Sequence, residues 1–349
     1  MQKIRAWGAA AAGKPLAPMT IVRREPRPHD VVLEIQFCGV CHSDIHQARD
    51  EWTGGIFPMV PGHEIIGHVT AVGGGVSKVA VGELVGVGCM VDSCRTCAPC
   101  AEGIEQFCEQ GSALTYNGTE MDRTTPTYGG YSTQIVVDER FVLRIPTGLD
   151  PAGAAPLLCA GITTYSPLRQ WGCKPAQRVG VVGLGGLGHM AVKLATSMGA
   201  AVTVLSTSEH KETDARRLGA DDFALTKTRV TFERLAGKFD LLIDTVSAPY
   251  DYDAYLGLLR PRGTMVIVGA PPGAATLSPF SLIMGNKRLA GSLIGGIAET
   301  QEMLDHCAAH GIVSDIELIP IQKINEAYER VLKSDVRYRF VIDMASLLD

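Results

Sequence analysis

Arg178-Val179-Gly180-Val181-Val182-Gly183-Leu184-Gly185-Gly186-Leu187-Gly188-His189-Met190 is the stretch that decides the fold. Residues 178–182 form an apolar, valine-rich run of strand length, and residues 189–198 carry a helical pattern. Between them lies G-x-G-x-x-G, formed by Gly183, Gly185 and Gly188, with Gly186 and Leu187 completing the turn. In a strand–turn–helix setting the first glycine permits a tight turn and the second lets the backbone approach a pyrophosphate. The third lets the helix pack closely on the strand. Free N–H groups and the dipole at a helix N-terminus favour an anionic group there. Working outward, apolar runs at 202–205, 222–225, 240–246, 264–268 and 289–294 alternate with helical stretches. Continuous apolar strands separated by helices are what a parallel sheet covered on both faces requires. The expected fold class is α/β, with a doubly wound dinucleotide-binding domain over residues 156–295.

The flanking sequence differs in texture. Residues 1–155 contain short β segments (31–37, 67–72, 83–87, 134–137) broken by glycine and proline, which predicts a β barrel or sandwich. The tail, 296–349, has a helix from about 300 to 310 stopped by Gly311, then a strand at 338–342. The dinucleotide domain is therefore expected to be inserted between two pieces of a β-rich domain.

With 349 residues, 46% hydrophobic, 20% charged and a net charge of −5, the chain is globular rather than disordered or fibrous. Mild acidity gives no electrostatic footprint for nucleic acid or an anionic membrane. No run reaches the roughly 18 apolar residues of a membrane span, and Gly13-Lys14-Pro15 cuts the early alanine run short of a signal peptide. A soluble cytoplasmic protein is expected, whose ten cysteines serve metal binding or catalysis rather than disulfides.

An NAD-selective strand end usually carries an acid that accepts from the ribose 2′-OH. Here the second strand ends on Ser206, followed by Thr207, Ser208 and Lys211. Hydroxyls and an ammonium suit a 2′-phosphate, so NADP(H) is expected, although the same hydroxyls could merely cap the next helix and Glu209 is a mild objection. Cys94-x2-Cys97-x2-Cys100-x7-Cys108 can close a tetrahedral zinc shell with no open position. An iron–sulfur cluster is the rival, disfavoured by the wide last gap and the absence of proline after Cys108. Cys41, His63 with Glu64, and Cys159 are scattered, and residue type alone reads the cysteines as core and His63 as a loop histidine. Cys38, Cys89, Cys173 and Cys307 read as buried apolar fillers, and His306/His310 as part of a solvated helix face.

Motifs spread over nearly the whole chain resemble the zinc-dependent medium-chain alcohol dehydrogenases, cinnamyl alcohol dehydrogenase branch, near the bacterial NADP-dependent aldehyde reductases. They are CGVCHSD (from Cys38), PGHEIIG (from Pro61), the four-cysteine lobe, PLLCAGITTYSPL (from Pro156), GLGGLG, GSLIGG (from Gly291) and INEAYERVLKSDVRYRFVID (from Ile324). The resemblance implies a GroES-like catalytic domain at 1–155 with a structural zinc lobe at about 89–110, a Rossmann NADP domain at 156–295, and a return to the catalytic domain at 296–349. It also implies a catalytic zinc on Cys41, His63 and Cys159, with Glu64 as alternative ligand, and so two zinc ions per chain. Asp44 then orients the zinc-bound histidine, and Ser43 and His46 relay a proton through the nicotinamide ribose. His42, Thr163, Thr245, Val246, Val268, Gly269, Ser292 and Ile294 are implied cofactor contacts. Leu114 and Leu293 stand where plant members carry aromatic residues, so with Trp52 they suggest a broad aromatic and aliphatic aldehyde range. The implied activity is reversible reduction of aldehydes to primary alcohols by NADPH, in a homodimer with only small-molecule partners. The weighed alternatives are a zinc-free quinone or enoyl reductase, which would leave Cys41, His63 and Cys159 unexplained, and a zinc-stapled binding module, which has no use for GLGGLG.

Overall fold

The computed structural model describes residues 2–271 and 273–348. The chain divides into two compact units: Met1–Cys159 with Gly295–Asp349, and Ala160–Ile294.

The first unit is built on a seven-stranded sheet. Its order is Leu143–Arg144, Leu84–Val87, Ile65–Val72, Asp30–Gly39, Arg339–Asp343, Ile316–Pro320, with Gln134–Asp138 also pairing Asp30–Gly39. Its core is aliphatic: Val31, Leu33, Ile65, Ile66, Val85 and Val341 are fully buried. Register explains what gathers at one end. Cys38 faces Ile65, Ile65 faces Val87, and Val341 faces Gly39. Residues just past Gly39, just before Ile65 and just before Val341 therefore emerge together. Two register shifts, between Val32 and Leu33 and between Ile35 and Phe37, bend the central pair. The sequence reading lacks the hairpin Gln2–Gly8 with Ala17–Arg23, because its polar residues and alanines give no strong strand signal. The helix expected at about 300 starts earlier, at Ile297, because Gly296 is its N-cap and accepts from the Thr300 N–H and hydroxyl.

The second unit is a six-stranded, wholly parallel sheet in the order Asp222–Leu225, Ala201–Ser206, Arg178–Val182, Phe239–Asp244, Leu259–Ile267, Arg288–Gly291. In chain order that is 3-2-1-4-5-6, the doubly wound dinucleotide arrangement. Val179, Val181, Val202, Val204, Leu242 and Ile243 are fully buried, as a sheet covered on both faces demands. Several strands end sooner than the apolar runs suggest. Thr245 and Val246 follow the strand ending at Asp244, Val268 follows Ile267, and Ser292 and Ile294 follow Gly291. Apolar runs overshoot because the turns beyond these strands are themselves partly buried. Among the described residues no helix is long and apolar enough to cross a membrane.

Candidate active site

Cys41 is the N-cap of the helix His42–Ala48, directly after the central strand, and His63-Glu64 precede the neighbouring strand. Cys159 sits at the break between the 3-10 turn Ala155–Leu158 and the helix Ala160–Gln170. One ligand atom from each of Cys41, His63, Glu64 and Cys159 lies within 4.8 Å of all the others. Two sulfurs on one tetrahedral zinc stand about 3.8 Å apart, and Cys41 Sγ and Cys159 Sγ are 4.0 Å apart. Glu64 Oε1 accepts from the Arg339 guanidinium, whereas buried Oε2 has no hydrogen-bond partner among the described residues. Two thiols, an imidazole and an orphaned carboxylate oxygen fit a zinc ion.

Electrostatics point the same way. The hydrogen bond from Cys159 holds the Cys41 thiol well below its ordinary range despite burial, with His63 and Arg339 adding to the pull. Burial pushes the Glu64 carboxyl up to about 7 against the attraction of Arg339. Asp44, fully buried, takes His63 Nδ1 at 3.2 Å, which leaves Nε2 to face the thiols. Tyr116 stacks on the His63 ring with centroids 5.8 Å apart.

Ser43 Oγ is 3.7 Å from Cys41 Sγ. On the same helix His46 pairs through Nδ1 with Glu51 and stacks between Trp52, at 4.9 Å, and His42, at 6.1 Å. Trp52 and Leu114 are exposed, Leu114 two residues from Tyr116; Leu293 is exposed in the second unit. The four-cysteine lobe closes separately, with Sγ separations of 3.9 Å (Cys94–Cys100) and 4.0 Å (Cys97–Cys108). The N–H groups of Cys94 and Cys97 donate to Cys108 Sγ and Cys94 Sγ, both at 3.3 Å, contacts that favour the thiolate form.

In the second unit, Gly183 has φ +88°, which L side chains rarely adopt, and a Cβ on Gly188 would fall 2.3 Å from Gly183 O. A Cβ on Gly185 would meet nothing within 4 Å, so its backbone borders open space fit for a phosphate. Ser206 is buried and its Oγ accepts from Ser208 N at 3.1 Å; Thr207 is exposed. Lys211 Nζ donates to Leu184 O at 2.9 Å, so its ammonium lies against the glycine loop. Thr245 Oγ1 donates to Val182 O at 2.8 Å, Ser292 N donates to Ile267 O at 3.1 Å, and a Cβ on Gly269 would lie 2.3 Å from Val246 O. All of these follow the carboxyl ends of the strands, where ligands bind in such sheets. Thr163, in the second turn of Ala160–Gln170, is buried.

Sequence reasoning missed Arg339, Tyr116 and Tyr131. An arginine heading the apolar run Phe340-Val341-Ile342 was the available signal, because a buried guanidinium needs an anionic partner. Cys38 and Cys307 are fully buried, but Cys89 and Cys173 are only half-buried, which corrects the filler reading for those two. Cys89 Sγ lies 3.8 Å from Leu158 O, and Thr115 N donates to Cys89 O, which holds this thiol beside the site.

Residues 27–147 match the alcohol dehydrogenase GroES-like domain family and residues 186–309 the zinc-binding dehydrogenase family. The aldehyde reductase YahK of Escherichia coli is 55% identical, covering 99% of this chain and 100% of its own. The NADP-dependent alcohol dehydrogenase C 1 of Mycolicibacterium smegmatis is 56% identical, covering 99% of each chain. A solved cinnamyl alcohol dehydrogenase from Sorghum bicolor superposes with a TM-score of 0.96 at 45% identity, covering 99% of this chain and 98% of its own. A GroES-like unit holding a cysteine–histidine–cysteine set, interrupted by a Rossmann unit with G-x-G-x-x-G, and matched over its whole length by such relatives, belongs to the zinc-dependent medium-chain alcohol dehydrogenases.

Proposed function

We propose that the protein reduces aldehydes to primary alcohols, reversibly, with NADPH as hydride donor. The observation that carries this reading is the meeting of Cys41, His63, Glu64 and Cys159 within 4.8 Å, with Asp44 behind His63. Cys41, His63 and Cys159 would hold the zinc, with Glu64 as an alternative ligand. Zinc held there would supply Lewis-acid polarisation of the carbonyl, and the nicotinamide would supply the hydride. Ser43 delivers the proton that the alcohol oxygen needs, and His46, held by Glu51, exchanges protons with solvent. Cys94, Cys97, Cys100 and Cys108 hold a second zinc that braces their lobe.

The Gly183–Gly188 backbone takes the pyrophosphate, and Ser206, Thr207, Ser208 and Lys211 take the 2′-phosphate. His42, Thr163, Thr245, Val246, Val268, Gly269, Ser292 and Ile294 serve the rest of the cofactor. Trp52 and the aliphatic Leu114 and Leu293 are the residues that set substrate range in this reading, with weak discrimination between aromatic and aliphatic aldehydes. The test follows NADPH consumption by absorbance over a panel of both aldehyde classes, repeated with NADH. Turnover of both classes with NADPH, at least about tenfold faster than with NADH, is expected. Absence of turnover with every aldehyde would overturn the assignment.

We further propose a homodimer formed through the edge strand Arg288–Gly291. Phe280, Ile283 and Met284, in and just after the nearby helix Pro279–Ile283, are about two-thirds exposed, an apolar patch next to an open edge. Ile283→Arg should give monomers in analytical ultracentrifugation; an unaltered dimer would rule this surface out. We also propose a cytoplasmic location, because thiols that serve as metal ligands are kept reduced there. Recovering the activity from a periplasmic or secreted fraction would contradict that.

A further inference from the structure

The carboxylate that orients His63 is itself held from every side. Asp44 Oδ1 accepts from Gly62 N at 3.1 Å and faces His63 Nδ1; Oδ2 accepts from Cys41 N at 2.9 Å and from the Tyr131 phenol at 3.2 Å. A carboxylate has about four lone-pair positions, so each has a partner. Three of the donors belong to the segments that carry the zinc ligands. Tyr131 alone comes from a separate segment, and it is fully buried.

That segment is anchored independently. Tyr131 N donates to Pro61 O at 3.0 Å, Gly130 N to Gly62 O at 2.8 Å, and Trp7 N to Tyr131 O at 2.8 Å. The buried Arg23 guanidinium donates to the carbonyls of Tyr128 (2.6 Å), Gly129 (3.0 Å) and Gln134 (3.1 Å), and to Ser132 Oγ (2.9 Å). An arginine used on one short stretch of backbone fixes where the phenol between those residues stands. Burial holds the Tyr131 hydroxyl well above the usual phenol range, so it remains a donor at any working pH.

We propose that Tyr131 is a positioning residue for the zinc at Cys41, His63 and Cys159. Its phenol locks the Asp44 carboxylate, the carboxylate fixes the His63 ring, and the arrangement sets how tightly the metal is held. This rests on the zinc-site reading above. Loss of an outer hydrogen-bonding partner of a metal-bound histidine weakens binding about 10- to 100-fold, and the phenol acts one bond further out, so the effect falls near the lower end.

The experiment times zinc transfer from the purified holoprotein to a coloured chelator. Tyr131→Phe keeps the ring and removes only the hydroxyl. One zinc per chain should leave about tenfold faster than in the parent, while the second zinc, the NADPH dissociation constant and the melting temperature stay near parent values. Adding Tyr131→Phe to Asp44→Asn should change zinc release little beyond Asp44→Asn alone, because the phenol acts through that carboxylate. Release at the parent rate, additive effects in the double variant, or joint loss of both zincs with a fallen melting temperature would each overturn the proposal. A parent protein with only one zinc would instead sink the reading of the site.

Discussion

Serine in place of Cys159 takes the zinc content from about two ions per chain to about one, and lowers kcat/KM for aldehyde reduction about a thousandfold or more. The exchange replaces sulfur by oxygen in a buried side chain, so packing at the break between Leu158 and Ala160 hardly changes. The chemistry changes far more. A thiolate is a soft anionic ligand, while a serine hydroxyl stays neutral at working pH and binds zinc poorly. Only Cys41 and His63 remain, with a Glu64 already engaged by Arg339. About 4 kcal/mol of lost transition-state stabilisation corresponds to that thousandfold. Because the four-cysteine lobe and the glycine loop use none of these atoms, one zinc and normal NADPH binding should survive. Metal analysis and NADPH titration on the same sample distinguish loss of this site from loss of the fold. A variant that kept two zincs and parent turnover would end the ligand assignment.

The two units were unequally legible, and the reason is physical. In the second unit each strand is buried on both faces, so Arg178–Val182 and Phe239–Asp244 stand out as unbroken apolar runs. In the first unit the sheet is completed by Arg339–Asp343, which pairs with Phe37–Gly39 across nearly the whole chain, and no local pattern announces such a partner. The gathering of the candidate metal-binding side chains has the same origin. Cys41 and His63 meet because Cys38 lies opposite Ile65, a register that spacing along the chain does not reveal; only the resemblance of whole motifs linked them to Cys159. Asp44 carries the signal of an ordinary helix-start acid, and it does cap that helix by accepting from Cys41 N. Its bond to His63 was visible only through the family pattern. Arg339 and Tyr131 act through partners distant in sequence, and for the tyrosine nothing local marks the role.

Aspartate at position 206 should reverse the cofactor preference: kcat/KM falls about a hundredfold with NADPH and rises severalfold with NADH. Ser206 closes the strand Ala201–Ser206, which pairs in parallel with the strand leading into the glycine loop, so its side chain stands at the carboxyl edge beside that loop. It is buried, and its Oγ accepts from Ser208 N. A carboxylate there can accept from both hydroxyls of a bare ribose, an interaction the serine makes weakly. With the cofactor placed as proposed, the same carboxylate would face a 2′-phosphate carrying close to two negative charges. Like charges about 4 Å apart repel by about 1 kcal/mol in water and about 4 kcal/mol at the dielectric of a protein surface, so two to three kcal/mol is a reasonable middle value. Lys211, whose ammonium rests on Leu184 O, still attracts the phosphate, so the aspartate variant should retain measurable NADPH activity. Steady-state kinetics with both cofactors at one ionic strength measure the ratio directly. If the NADPH-to-NADH ratio stays where it was, selection does not lie at the end of this strand, and the hydroxyls of Ser206, Thr207 and Ser208 do no more than cap the turn that follows.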